Sequence, residues 1–196
     1  MKKIFAFLFC IGILGCAAKS YITEDGKKIS PVGGAYYTKV NIWYEDPKEI
    51  LSTNYHKGTV IPVGSKVSIV GYGDNKISFT KEDQVGVKFT IFDVQKYSLV
   101  PMEELFSHYF SKDDPKASGG EFSKLSGKEK ESIENGNLAE GMSKEAVIIA
   151  YGYPPKHKTP DLTNDIWYYW SSRFQTEAVT FRNNRIIKIE SMKGIK

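Results

Sequence analysis

Polar and apolar residues alternate with a period of two through residues 36–44, Tyr-Tyr-Thr-Lys-Val-Asn-Ile-Trp-Tyr, so that Thr38, Val40, Ile42 and Tyr44 share one face of an expected strand. The run Val60-Ile61-Pro62-Val63-Gly64 leads into a second alternating stretch at 66–70. A Gly73-Asp74-Asn75-Lys76 turn returns the chain through 77–80, and a polar turn at 81–86 precedes another apolar run at 87–92. Short strands punctuated by glycine in this way predict a small SH3-like barrel or a curled sheet. The period then changes. Pro101 suits a first helical position, Glu103 and Glu104 suit the first turn, and Met102, Leu105, Phe106, Tyr109 and Phe110 form one apolar stripe, which predicts a helix closing the sheet.

Residues 111–120, Ser-Lys-Asp-Asp-Pro-Lys-Ala-Ser-Gly-Gly, interrupt all periodicity and read as a linker. Beyond them, 128–135 reads as a polar helix closed by Gly136, with Leu125, Ile133 and Leu138 as its apolar contacts. The next helix carries its own boundaries. Ser143 is an N-cap, Glu145 lies in the first turn, Ala146, Val147, Ala150 and Tyr151 recur at helical spacing, and Gly152 with Pro154 and Pro155 is the stop. That predicts a short helix with one buried face. Three strands follow at 166–170, 178–181 and 186–189, the last two joined by an Arg182-Asn183-Asn184-Arg185 hairpin turn.

The succession of a Gly141-Met142-Ser143 helix start, Gly152-Tyr153-Pro154, a Trp167-Tyr168-Tyr169 strand and a final Phe181-Arg182-Asn183-Asn184-Arg185-Ile186 hairpin resembles the BamE-like (SmpA/OmlA) module of outer-membrane lipoproteins. The resemblance covers the last third of the chain. It implies helices packed on one face of a small antiparallel sheet, and a role in outer-membrane protein assembly or envelope integrity. The family's assembly member is usually little more than the module, whereas this chain adds the whole of 36–110. The expected fold class is therefore α+β, a β-rich N-terminal region followed by a helix-helix-three-stranded antiparallel module. The expected divisions are a signal peptide at 1–15, a tether at 16–35, a β-rich region with closing helix at 36–110, a linker at 111–120 and the module at 121–196.

The N-terminus agrees with an envelope destination. Lys2 and Lys3 precede an apolar run at 4–14 that is too short to span a bilayer as a mature helix, the pattern of an export signal. Ile13-Leu14-Gly15-Cys16 resembles the lipobox of bacterial lipoproteins, which implies cleavage before Cys16 and acylation of its thiol. More than one acyl chain gives stable anchoring where a single chain gives marginal binding. Ala17 after the cysteine, rather than Asp, resembles the outer-membrane sorting pattern of Gram-negative bacteria, so the expected location is the periplasmic face of that membrane. With Cys10 inside the signal, Cys16 is the single mature cysteine, which excludes an intramolecular disulfide.

Composition narrows the function classes. The formal charge of +4 falls to +2 without Lys2 and Lys3, and the charges are interspersed, which argues against nucleic acid as a partner. No Gly-x-Ser-x-Gly elbow and no phosphate-cradling glycine loop is present, and Lys57-Gly58-Thr59 reads as a structural turn. The histidines, His56, His108 and His157, stand in different segments, and the Glu104 to His108 spacing lacks a third metal ligand. The expectation is a protein without catalytic residues, metal or cofactor that binds other envelope proteins. Two alternatives stay open: an inhibitor of an envelope hydrolase, and a cell-wall or small-ligand binder. Aromatic residues gather at Trp43 and at Trp167, Tyr168, Tyr169 and Trp170, the candidate binding residues. In a strand, Trp167 and Tyr169 face one side and Tyr168 and Trp170 the other, so one pair is core and the other is free for a domain or a partner.

Overall fold

The computed structural model describes residues 21–22 and 27–193; Cys16 and the expected signal peptide lie outside the described residues. In chain order the strands are β1 (Tyr21–Ile22), β2 (Lys28–Ile29), β3 (Ala35–Thr38), β4 (Ile42–Tyr44), β5 (Ile50–Leu51), β6 (Thr59–Ile61), β7 (Lys66–Tyr72), β8 (Lys76–Lys81) and β9 (Lys88–Phe92). Helices α1 (Gln95–Ser98) and α2 (Met102–Tyr109) precede β10 (Phe110–Ser111). Helices α3 (Gly127–Glu134) and α4 (Lys144–Tyr151) precede the terminal strands β11 (Ile166–Ser172), β12 (Gln175–Arg182) and β13 (Arg185–Lys193).

The α+β class is as the sequence predicts. Of the two forms expected for the N-terminal region, it takes the curled sheet, six strands in the order β10-β3-β7-β8-β9-β5, all antiparallel except the β5 to β9 pairing. Alternation along β7 sends Val67 and Ile69 inward with Ile77, Phe79, Phe89 and Ile91 of its neighbours, and α2 lays Leu105, Phe106 and Tyr109 over them. The C-terminal sheet has the order β11-β12-β13, and its turn at Asn183 and Asn184 has positive φ at both central residues, which Asn tolerates.

Three expectations need correction. Residues 36–44 are not one strand: β3 ends at Thr38 and β4 belongs to a separate pair with β6. The break is at Asn41, whose backbone N–H donates to Ile149 O and whose side-chain amide donates to Ile133 O and accepts from Val63 N–H, so tertiary bonds replace the ladder. Helix α4 is not one-faced either. Ala146, Val147, Ile149, Ala150 and Tyr151 are all buried, and Ile148 packs against both hydrophobic clusters, because α4 lies between the terminal sheet and the N-terminal region. Lastly, the span read as a tether contains the β1 to β2 pairing, and its end is fastened to β7, with Gly33 N–H donating to Ile69 O and Ile69 N–H to Gly34 O.

Residues 111–120 are compactly turned. Pro115 is buried, Phe122 N–H donates to Pro115 O, and a Cβ on Gly120 would collide with that carbonyl. The second core gathers Phe122, Ile133, Met142, α4, Trp167, Tyr169, Val179, Phe181 and Ile186, and it includes Val63 from the N-terminal region. The two parts therefore share buried residues across one seam.

Candidate functional site

The seam is built on two buried asparagines. Asn54, at φ 46°, donates from its side-chain amide to Asn41 O and Tyr151 O and accepts from Trp43 N–H. Asparagine visits this left-handed backbone more readily than most residues. Its amide lies so close to Gly152 that a Cβ there would come within 2.9 Å of the nitrogen, so the stop glycine of α4 is also a docking surface. Trp43 does the same at the end of α3: a Cβ on Gly136 would lie 2.8 Å from its ring. This candidate binding residue is thus half-buried in the seam, with its ring 5.8 Å from His56 and 6.4 Å from Tyr151.

The terminal strand divides its aromatics between two faces. Trp167 and Tyr169 are 0% and 1% exposed beneath α4, and the Tyr169 hydroxyl donates to Gly152 O at 3.0 Å. These two have no surface to offer a partner. Trp170, on the other face, meets Tyr97 at 4.6 Å, His157 at 5.2 Å and Tyr55 at 5.8 Å, so the N-terminal region already occupies part of it. Tyr168 is half-buried and stands opposite Ala178, which in turn faces Glu190. On the same face lie Ile166, 41% exposed, along β11 and Met192, 39% exposed, two strands away on β13 in the row of Trp170 and Thr176, with Phe174 75% exposed at the β11 to β12 turn. Of the five candidate aromatics, Trp167 and Tyr169 are sealed off, while Tyr168, Trp170 and Trp43 keep partial exposure, the last two within the seam.

A cleft of about 330 Å³ opens on the far side of the seam, between α2 and the segment 153–162. Val40, Val100, Leu105, Pro154 and Leu162 give it apolar walls, and Glu104, His108, Lys156 and Asp161 are charged or titratable groups in its lining. His108 stacks on Tyr153 at 3.8 Å, and Glu104 reaches His108 at 3.7 Å and Lys156 at 3.8 Å. Burial, with Lys39 and Lys156 nearby, brings His108 down to about 4, so the imidazole is neutral at pH 7 despite the loose carboxylate contact, which Lys156 shares. Among the described residues no group of three His, Cys, Asp or Glu side chains stands at metal-binding spacing, and no helix is long and apolar enough to cross a membrane.

Glu129, absent from the sequence-derived candidates, joins three elements. It closes a capping box with Ser126, and its carboxylate also accepts from the Ser143 N–H, the Ser143 hydroxyl and Arg185 Nη1. Burial opposes ionisation here, but the bonds from Ser126 and Ser143 outweigh it and bring the carboxyl to about 2. The Ser126-x-x-Glu129 spacing was a legible signal for the box. The Ser143 and Arg185 bonds join residues 14 and 56 positions away, and no local pattern announces them. Through these contacts the Gly141-Met142-Ser143 start and the Asn184-Arg185-Ile186 hairpin meet. Gly141 N–H donates to Ile186 O, Ile186 N–H to Met142 O and Lys144 N–H to Asn184 O.

No family model, no curated relative and no solved structure matches the chain.

Proposed function

We propose that the chain is a lipid-anchored envelope protein that acts by binding another envelope protein, with a BamE-like C-terminal module whose outer sheet face is the binding surface. One observation carries the reading: the short motifs behind the resemblance, far apart in sequence, pack on one another as a unit. Ser143 caps α4 and is bridged to Arg185, Trp167 packs under α4, and the Asn183-Asn184 turn closes against the α4 N-terminus, where Asn184 donates to Glu145 at 3.0 Å. Ile166, Tyr168 and Met192 then remain on the outer face as its apolar members, beside the Lys188–Glu190 ion pair of β13. Aromatic and methionine side chains are enriched in the anchoring centres of interfaces. The cleft favours a second reading, a binder of small ligands or cell-wall fragments.

The test is affinity purification of the full chain from detergent-solubilised membranes, alongside a Cys16→Ser variant. The proposal expects discrete envelope proteins with the parent chain, and a variant left unprocessed or released from the membrane. A processed variant that stays with the membrane after a high-salt wash contradicts the anchor. Recovery of cell-wall fragments alone contradicts the protein partner.

A further inference from the structure

All three histidines of the chain lie at the seam, and each pairs with a tyrosine from the opposite side. The ring of His56 lies 3.5 Å from that of Tyr151, His108 lies 3.8 Å from Tyr153, and His157 lies 4.8 Å from Tyr97. In every pair one member belongs to residues 151–157, the Tyr-Gly-Tyr-Pro-Pro-Lys-His segment that runs from the end of α4 to the cleft wall. We propose that this segment is an acid-released clasp: protonation of the three histidines frees it from the N-terminal region, widening the cleft and baring Trp170.

The geometry supplies the reason. His56 Nε2 lies 3.1 Å from Tyr151 O, and a carbonyl only accepts, so this nitrogen carries the proton of the neutral ring. A second proton would go on Nδ1, which is buried with no hydrogen-bond partner among the described residues. The rings packed against His56 are those of Trp43, Tyr151 and Tyr169, all uncharged near neutrality, and Glu177 on β12 acts on Tyr151. His157 Nδ1 is likewise buried without a close hydrogen bond, and although the Tyr97 backbone favours a proton on this ring, burial and Lys158 beside it outweigh that; Lys96 lies 4.6 Å from the Tyr97 ring. His108 faces Lys39 and Lys156 as well as Glu104, so it is the one ring with a carboxylate to receive it, and that carboxylate is shared with Lys156.

The sign follows from the closed state excluding protons that the open state takes up. Burial holds His56 at about 3 and His108 at about 4 in the closed form, against 6.5 when free, and His157 is lowered too. The closed state keeps its full advantage above pH 6.5 and loses it as pH falls. Each unit below 6.5 shifts the closed-to-open ratio about tenfold per excluded proton, until the pH reaches the closed-state value of that histidine.

The chain has three tryptophans, of which Trp43 and Trp170 line the seam and Trp167 sits in the second core. The experiment is acrylamide quenching of tryptophan fluorescence in the full chain from pH 7.5 to 4, followed in parallel by far-UV circular dichroism. The clasp predicts a rise in quenching with a midpoint between pH 6.5 and 4 while the dichroism holds. It also predicts a lower midpoint, by half a unit or more, in H157F, which keeps a ring against Tyr97 and cannot be protonated, and in H108F. Should one of these variants fail to fold, the other and the parent chain still decide. Unchanged quenching down to pH 4, quenching and dichroism lost in one step, or folded variants with the parent midpoint would each overturn the proposal.

Discussion

At the scale of the residue, the twofold alternation of the terminal strand decides what each aromatic can do. Trp167 and Tyr169 fill the space under α4, so truncating either removes a large, fully buried side chain from the second core. Trp167→Ala is expected to cost about 3–5 kcal/mol in urea unfolding, whereas Tyr168→Ala, on the half-exposed face, is expected to cost about 1 kcal/mol or less. Equal losses would mean that both faces are buried. The split between the pairs was legible because a strand has a fixed period, but the fate of Trp170 was not. Its contacts with Tyr55 and Tyr97 join segments more than 70 positions away, as does the docking of Trp43 on Gly136.

At the scale of the element, local signals reached as far as the forces that shape them are local. Capping and stop residues placed α2, α3 and α4, and the Asn183-Asn184 pair placed the last hairpin, because these features satisfy backbone groups within a few residues of themselves. The four-residue α1 carries no buried residue and gave no apolar stripe. The parallel pairing of Ile50 and Leu51 with β9 is too short to show a period. The break at Asn41 arises from bonds to α3 and α4 that alternation cannot foretell. Glu129 is where elements are tied together, α3 to α4 and to β13. Glu129→Gln keeps the shape but removes the charge that four bonds from Ser126 and Ser143 favour, and the expected loss is about 2–3 kcal/mol at pH 7. Because the folded-state carboxyl is held at about 2 against 4.5 when free, its contribution is complete above pH 4.5 and disappears as pH falls toward 2. Urea titrations of parent and variant should therefore differ at pH 7 and converge near pH 2, with parallel curves counting against this role.

At the scale of the whole molecule, the expected division into a β-rich region, a linker and a module meets a seam with its own buried polar network. Asn41, Asn54 and His56 bond across it, Val63 enters the second core, and Ile148 touches both. Region 36–110 covers one side of α4 and part of Trp170 and leaves the Tyr168 face as the open side of the terminal sheet. The reading as an anchored binding protein depends on that face meeting a partner. The most direct measurement places a photo-crosslinking phenylalanine derivative at Tyr168 and, as a control, at Val85, which is 94% exposed on a distant turn. Irradiation of intact cells should yield a discrete protein adduct in the membrane fraction from position 168 and none from position 85. Absence of any adduct at 168 beyond the level at 85, with the protein folded and anchored, would contradict the account.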